Sequence, residues 1–387
     1  MIEILHSRIS EYIKERHIPG AAVIVRRGGE VIHLEYAGYA DIANGIPVTE
    51  STLFRLASMT KPIIAVGIMM LAEKGLLTIK DEIAEYIPEF ADMKVAARMP
   101  APDAPDLREQ VAAMDYEPLM RPIIIEDLLR HRSGLGHGPV SMLSGVMRTE
   151  PGMTLAERMK AIAACPMDFQ PGKGAGYSAV TAFDILGRII ELVTGRELQQ
   201  ALSELIFEPL GMRDATFYPD AAMLARIPRL YARPEKELID TAPPGEFSNP
   251  LGFSFPCGSA GLYATLRDYD RFTRMLANGG ELDGTRLLRA DTVSAMAAPC
   301  PNDLPLSPGS AWGLGMCIFQ PYALSKRYLA KGTFGWSGAY GTHFYIDPVN
   351  GISMTLMVNR ADINGASSYV SHATEEMIFK GLQLKSE

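Results

Sequence analysis

The sequence predicts an α+β fold, an α/β sandwich in which one antiparallel sheet is built from both ends of the chain and a mostly helical segment is inserted between them. Three observations carry this. Near the N-terminus, AAVIV at 21–25 and VIHLEY at 31–36 favour strands and flank a turn carrying Gly28-Gly29. Near the C-terminus, HFYI at 343–346 and ISMTLMV at 352–358 flank DPVNG at 347–351, a second hairpin. From about 85 to 255 the chain instead reads as helices and Pro/Gly loops. Residues 1–84 and 256–387 are therefore assigned to a sheet domain and 85–255 to a helical one.

The elements follow in order. Ile2, Leu5, Ile9, Tyr12 and Ile13 recur at helical spacing, so 2–16 form an amphipathic helix ahead of the first hairpin. Past Pro62 the run to Leu71 is apolar on nearly every face, as in a buried central helix, with proline tolerated in its first turn and Gly75 near its end. The stretch 99–106, MPAPDAPD, is a loop. Helices are expected at 125–130, 155–164 and 179–194, the last capped by Ser178 and ended by Gly195. The segment 369–384 reads as a closing helix.

Composition narrows the function. With 387 residues, 47% of them apolar, the chain can bury a large core. Its 45 acidic and 37 basic side chains leave a net charge of -8, which opposes binding to nucleic acid or anionic membranes. No apolar run of about 20 residues could span a bilayer. Cys165, Cys257, Cys300 and Cys317 contain no C-x-x-C pair and suit a reducing compartment. The first residues lack the charged, apolar and small-residue pattern of an export signal, so a cytoplasmic location is expected. No H-E-x-x-H, paired Cys/His spacing or phosphate-binding Gly-rich loop occurs, so no metal or organic cofactor is expected.

The chemistry lies where the apolar helix begins. Ser58 and Lys61 stand three residues apart, on one face of a helix and within reach of each other. Burial and the positive end of the helix dipole both disfavour a charge on Lys61, which makes a neutral amine available as a base. A serine hydroxyl needs such a base to attack a carbonyl. The helix start also aims backbone N–H groups, that of Ser58 among them, at a developing oxyanion. S-x-x-K alone is weak, since roughly one or two occur by chance in a chain of this length. What raises it is the setting, a lysine at the mouth of an almost uncharged helix.

Several ordered motifs then resemble the penicillin-recognising serine hydrolases: class C beta-lactamases, D-alanyl-D-alanine peptidases and above all family VIII carboxylesterases. They are PGAAV at 19–23, TLFRLASMTK at 52–61, IEDLLRHRSGL at 125–135, PG at 171–172 before Tyr177-Ser178, GSAGLYAT at 258–265, WGLGM at 312–316 and GWSGAYG at 335–341. The resemblance covers almost the whole chain. It implies a beta-lactamase/DD-peptidase-like fold with the active site between a sheet domain and a helical domain. It places the family's second motif on Tyr177-Ser178-Ala179, where the phenol would share protons with Ser58 and Lys61, and the third on Trp336-Ser337-Gly338.

Departures from the lactamase pattern point to substrate. Ala179 replaces an asparagine that helps hold the substrate amide, and Trp336 stands where a basic residue would bind a carboxylate. Neutral acyl esters of short to medium length are therefore the expected small-molecule substrates, with Trp336, Ser337 and Gly338 against them. The Ala339 N–H is expected to be the second oxyanion donor, Gly338 allowing close approach to the backbone. Beta-lactamase or D-alanyl peptidase activity is the alternative.

Other readings are weaker. Gly335 to Ala339 resembles a degenerate G-x-S-x-G elbow with Ser337 as nucleophile, but that motif needs a helix after it and Tyr340 to Ile346 reads as a strand. His131, His137 and His343 are conceivable bases, His131 reading rather as structural. A scaffold that has lost its chemistry would have no physical need for Ser58, Lys61 and Tyr177 together.

Overall fold

The computed structural model describes residues 2–100, 106–136, 138–242, 253–300, 309–320 and 325–385. His137 and most of the proline-rich 99–106 segment lie outside the described residues.

Eight strands form one antiparallel sheet, in the spatial order Ser310–Trp312, Cys317–Phe319, Phe334–Ser337, His343–Asp347, Ile352–Val358, Gly20–Arg27, Glu30–Asp41, Ile46–Pro47. The two ends of the chain meet inside it, where Val23 pairs with Leu356. Both hairpins are therefore present, the first with longer strands than its apolar runs suggest.

Unlike many antiparallel sheets, this one is covered on both faces, which is why its central strands read as unbroken apolar runs. Ala22, Ile24, Phe344 and Met357 belong to a core shared with the helices Thr60–Glu73, Ala182–Thr194 and Leu266–Ala277. Val23, Val25, Tyr345 and Leu356 face the other way, onto Leu5 and Ile9 of the Glu3–Lys14 helix and Val370 and Ile378 of the Tyr369–Gly381 helix. Residues from Thr60 through Leu71 are all buried. Each large apolar side chain among them contributes about 1.5–3 kcal/mol, and this stabilisation lets the helix carry a lysine in its first turn.

The remaining helices run Ile125–Leu129, Leu155–Ala163 and Ala182–Thr194. The last begins three residues later than its sequence suggests. The carbonyls of Ala179 and Val180 point to Lys61 Nζ and Arg158 Nη2 instead of up a helix axis. The N-cap position accordingly falls to Thr181, whose side chain makes no cap bond, while Ser178 Oγ accepts from the Ala182 N–H at 3.0 Å from outside the helix. Among the described residues no helix is long and apolar enough to cross a membrane.

Candidate active site

Ser58 lies in a 3₁₀ turn, Ala57–Met59, that leads into the Thr60–Glu73 helix. Ala57 just before it has φ 46°, a left-handed conformation that costs a residue with a Cβ roughly 1–2 kcal/mol. The surroundings hold it there. Leu56 N–H donates to Leu262 O, Thr60 Oγ1 donates to Ala57 O and accepts from Leu262 N–H, and Tyr269 OH donates to Met59 O. Ser58 follows directly, in the turn just before the helix.

Lys61 is fully buried and makes three contacts through Nζ: Ser58 Oγ at 3.2 Å, Ala179 O at 2.7 Å and Ser259 O at 2.8 Å. The carbonyls can only accept, so they take two N–H groups. The third position, facing Ser58, is a lone pair in the neutral amine and an N–H in the ammonium.

The two carbonyl-bearing segments are themselves tied down. Buried Asp184 accepts through Oδ1 from the Ser259 N–H at 3.0 Å and from Cys257 Sγ at 3.2 Å, and its Oδ2 lies 3.6 Å from Arg158 Nε. Arg158 in turn donates to Val180 O. Burial pushes the Asp184 carboxyl up, with Arg158 acting against it. A lone acid inside the apolar run 182–190 was the sequence signal for this pair, and sequence reasoning passed over it.

Tyr177 approaches from a separate segment. Its hydroxyl accepts from Trp336 Nε1 at 3.0 Å, and its ring centroid lies 5.0 Å from Lys61 Nζ. Lys61, rather than Tyr177, meets the Ser58 hydroxyl within hydrogen-bond distance. His131 packs beneath Tyr177 with ring centroids 4.6 Å apart, and its Nδ1 accepts from the Ser178 N–H. That bond gives His131 a supporting place under the tyrosine.

A cavity of about 500 Å³ opens onto Ser58, Tyr177, Trp312, Trp336, Ser337 and Ala339. A cavity of like volume elsewhere, about 500 Å³ and lined by Arg26, Arg274, Ser294 and Asp347, holds no serine–lysine pair. Gly338 makes the approach of the third-motif strand possible, though the contact differs from the expected one. A Cβ there would overlap Leu56 O and Thr342 Oγ1, so glycine is needed for the strand end to pack on the segment that leads to Ser58. Ala339 is thereby brought to the same cavity as Ser58. Phe334–Ser337 continues through a turn into the strand His343–Asp347, so Ser337 is not on a strand-to-helix elbow.

Behind Ser337 runs a buried polar string. Its Oγ lies 2.8 Å from His343 Nδ1, His343 Nε2 approaches Glu375 Oε1 obliquely at 2.9 Å, and Glu375 Oε2 accepts from Arg327 Nε at 2.9 Å with a second, closer contact from Arg327 Nη2. Burial alone would raise the Glu375 carboxyl, but Arg327 above all, with His343, holds it down at about 2. Burial lowers the pKa of the His343 ring. Sequence reasoning found His343 but neither Glu375 nor Arg327, which only the fold brings to it.

A serine hydroxyl at a buried lysine amine, on a two-faced antiparallel sheet, defines the class as serine hydrolase. The chain belongs to the beta-lactamase family, whose sequence model, described as Beta-lactamase, matches residues 5–374. It is 32% identical over 350 residues to protein Rv1367c of Mycobacterium tuberculosis, covering 86% of this chain and 83% of that one. It is 29% identical over 399 residues to esterase EstB of Burkholderia gladioli, covering 97% and 94%. Among solved structures, EstCE1, a hydrolase with promiscuous acyltransferase activity, superposes with a TM-score of 0.81 at 24% identity, over 97% of this chain and 98% of that one.

Proposed function

We propose that the protein is a carboxylesterase acting on short to medium neutral acyl esters through an acyl-enzyme on Ser58. The observation that carries this is the Lys61 amine, with two carbonyls fixing it and its third position on Ser58 Oγ. In its neutral form Lys61 takes the hydroxyl proton as Oγ attacks the acyl carbon. The carbonyl becomes an oxyanion held by the N–H groups of Ser58 and Ala339, neither of which donates to another group among the described residues. Collapse breaks the ester C–O bond, and the departing alcohol takes a proton from Tyr177, which Lys61 restores. Water then attacks the acyl-enzyme, giving its proton to the same pair, and Ser58 leaves reprotonated.

Esters are favoured over lactams and D-alanyl peptides by the third motif. A tryptophan replaces the cation that would hold a carboxylate, and its one N–H is engaged by Tyr177. The likeness to an esterase over nearly the whole chain supports the same reading. Initial rates on p-nitrophenyl acetate, butyrate and octanoate beside a chromogenic cephalosporin test it, with Ser58→Ala as control. Fast ester release that vanishes in Ser58→Ala, with little lactam opening, is expected. Dominant lactam turnover would overturn the substrate assignment, and activity surviving in Ser58→Ala would move the nucleophile elsewhere.

A further inference from the structure

We propose that Ser337 is an acceptor-only group in the substrate cavity, its proton held by His343, so that the site selects neutral or donor-bearing esters and turns away substrates with a carboxylate at that point. This rests on the reading of Ser58 as the nucleophile of an esterase and names the substrate class more closely.

The direction of the hydrogen bond follows from charges behind it. Ser337 and His343 are cross-strand partners, with Oγ and Nδ1 2.8 Å apart. The other ring nitrogen lies 2.9 Å from the Glu375 carboxylate, which its pair with Arg327 keeps ionised. A bare Nε2 would put a lone pair against that negative charge, so Nε2 carries a proton. The Trp336 carbonyl, 3.2 Å from Nδ1, would welcome a proton there as well. A second proton would make the ring cationic, which its complete burial opposes. Nδ1 is therefore bare and the Ser337 O–H donates to it.

What remains toward the cavity is lone pairs. Several donors in the wall already have partners: Trp336 Nε1 with Tyr177, Arg327 Nε and Nη2 with Glu375, and Asn364 Nδ2 with Ser367. A carboxylate is recognised by donors, and a hydroxyl whose O–H is engaged with His343 turns only lone pairs toward it. His343, which does not line the cavity, thus sets the sign of a group that does.

Two measurements test this. In the wild type, ¹⁵N NMR of the His343 side chain should show a protonated Nε2 and a bare Nδ1; a protonated Nδ1 would overturn the proposal whatever the enzyme hydrolyses. Kinetics then use two carboxylate-bearing probes, p-nitrophenyl monosuccinate and 4-carboxyphenyl butyrate, each against its neutral counterpart. His343→Leu frees the Ser337 proton to turn toward substrate, so the ratio of kcat/KM for charged over neutral ester should rise about tenfold or more for at least one probe. The rise should vanish in the double variant Ser337→Ala/His343→Leu. Unchanged ratios, or an equal rise in the double variant, would overturn the proposal. Should His343→Leu not fold, the tautomer measurement decides. Absence of wild-type turnover on any neutral ester would remove the esterase reading and leave the tautomer result standing.

Discussion

The indole N–H of Trp336 donates to the hydroxyl of Tyr177 at 3.0 Å, linking the third-motif strand to the tyrosine that faces Lys61. That bond fixes where the phenol oxygen sits against the third-motif strand. Trp336→Phe keeps an aromatic wall and loses the donor. The variant is expected to lower kcat on p-nitrophenyl butyrate roughly tenfold, with KM changed much less. Combined with Tyr177→Phe the losses should not add, which a double-mutant cycle would reveal.

Lys61→Met removes the amine proposed as base and leaves two carbonyls, Ala179 O and Ser259 O, without their buried donor. Stability should fall by about 1–3 kcal/mol in urea unfolding. Acylation, followed in single-turnover experiments, should drop by about 10³-fold or more. A variant that is destabilised yet acylates normally would remove Lys61 from the chemistry.

Gly338→Ala places a methyl group on Leu56 O. Either the third-motif strand or the nucleophile turn must shift, and the relation of Ala339 to Ser58 shifts with it. We expect a stability loss of about 1–3 kcal/mol with kcat/KM reduced by roughly 10²-fold, read from thermal unfolding and steady-state rates.

The Glu375 carboxyl, held at about 2 against an ordinary 4.5, makes stability depend on acid. A carboxyl with a lowered folded pKa contributes fully above 4.5 and loses that contribution as the pH falls from 4.5 toward 2. The contribution is roughly 3 kcal/mol. His343, lowered by burial from 6.5, has the same sign and begins to act at higher pH. In Glu375→Gln the acid dependence between 4.5 and 2 should flatten. The variant should also lose roughly 3–5 kcal/mol at neutral pH, because the buried Arg327 loses its partner. Urea titrations across pH check both.

Much of this was legible in the chain. The hairpins at the two ends and the apolar helix after Pro62 announce themselves because strand alternation and helical spacing are local properties. The positions of Ser58 and Lys61 are legible for the same reason, since three residues on a helix are one turn of space. The Ala182–Thr194 helix shows the limit. Its sequence allows a start at Ala179, but the chain gives up that turn so that two carbonyls can face Lys61 and Arg158.

The sequence by itself determined the fold class and which serine and lysine stand together, because those depend on neighbours along the chain. The tertiary structure alone decided what surrounds them. Lys61 meets carbonyls 118 and 198 residues away, and Trp336 meets Tyr177 across 159. The proton on Ser337 is oriented by Glu375 and Arg327, reached through the packing of the closing helix on the sheet. Contacts of that separation depend on how helices seat on both faces of the sheet, and local periodicity carries no trace of that.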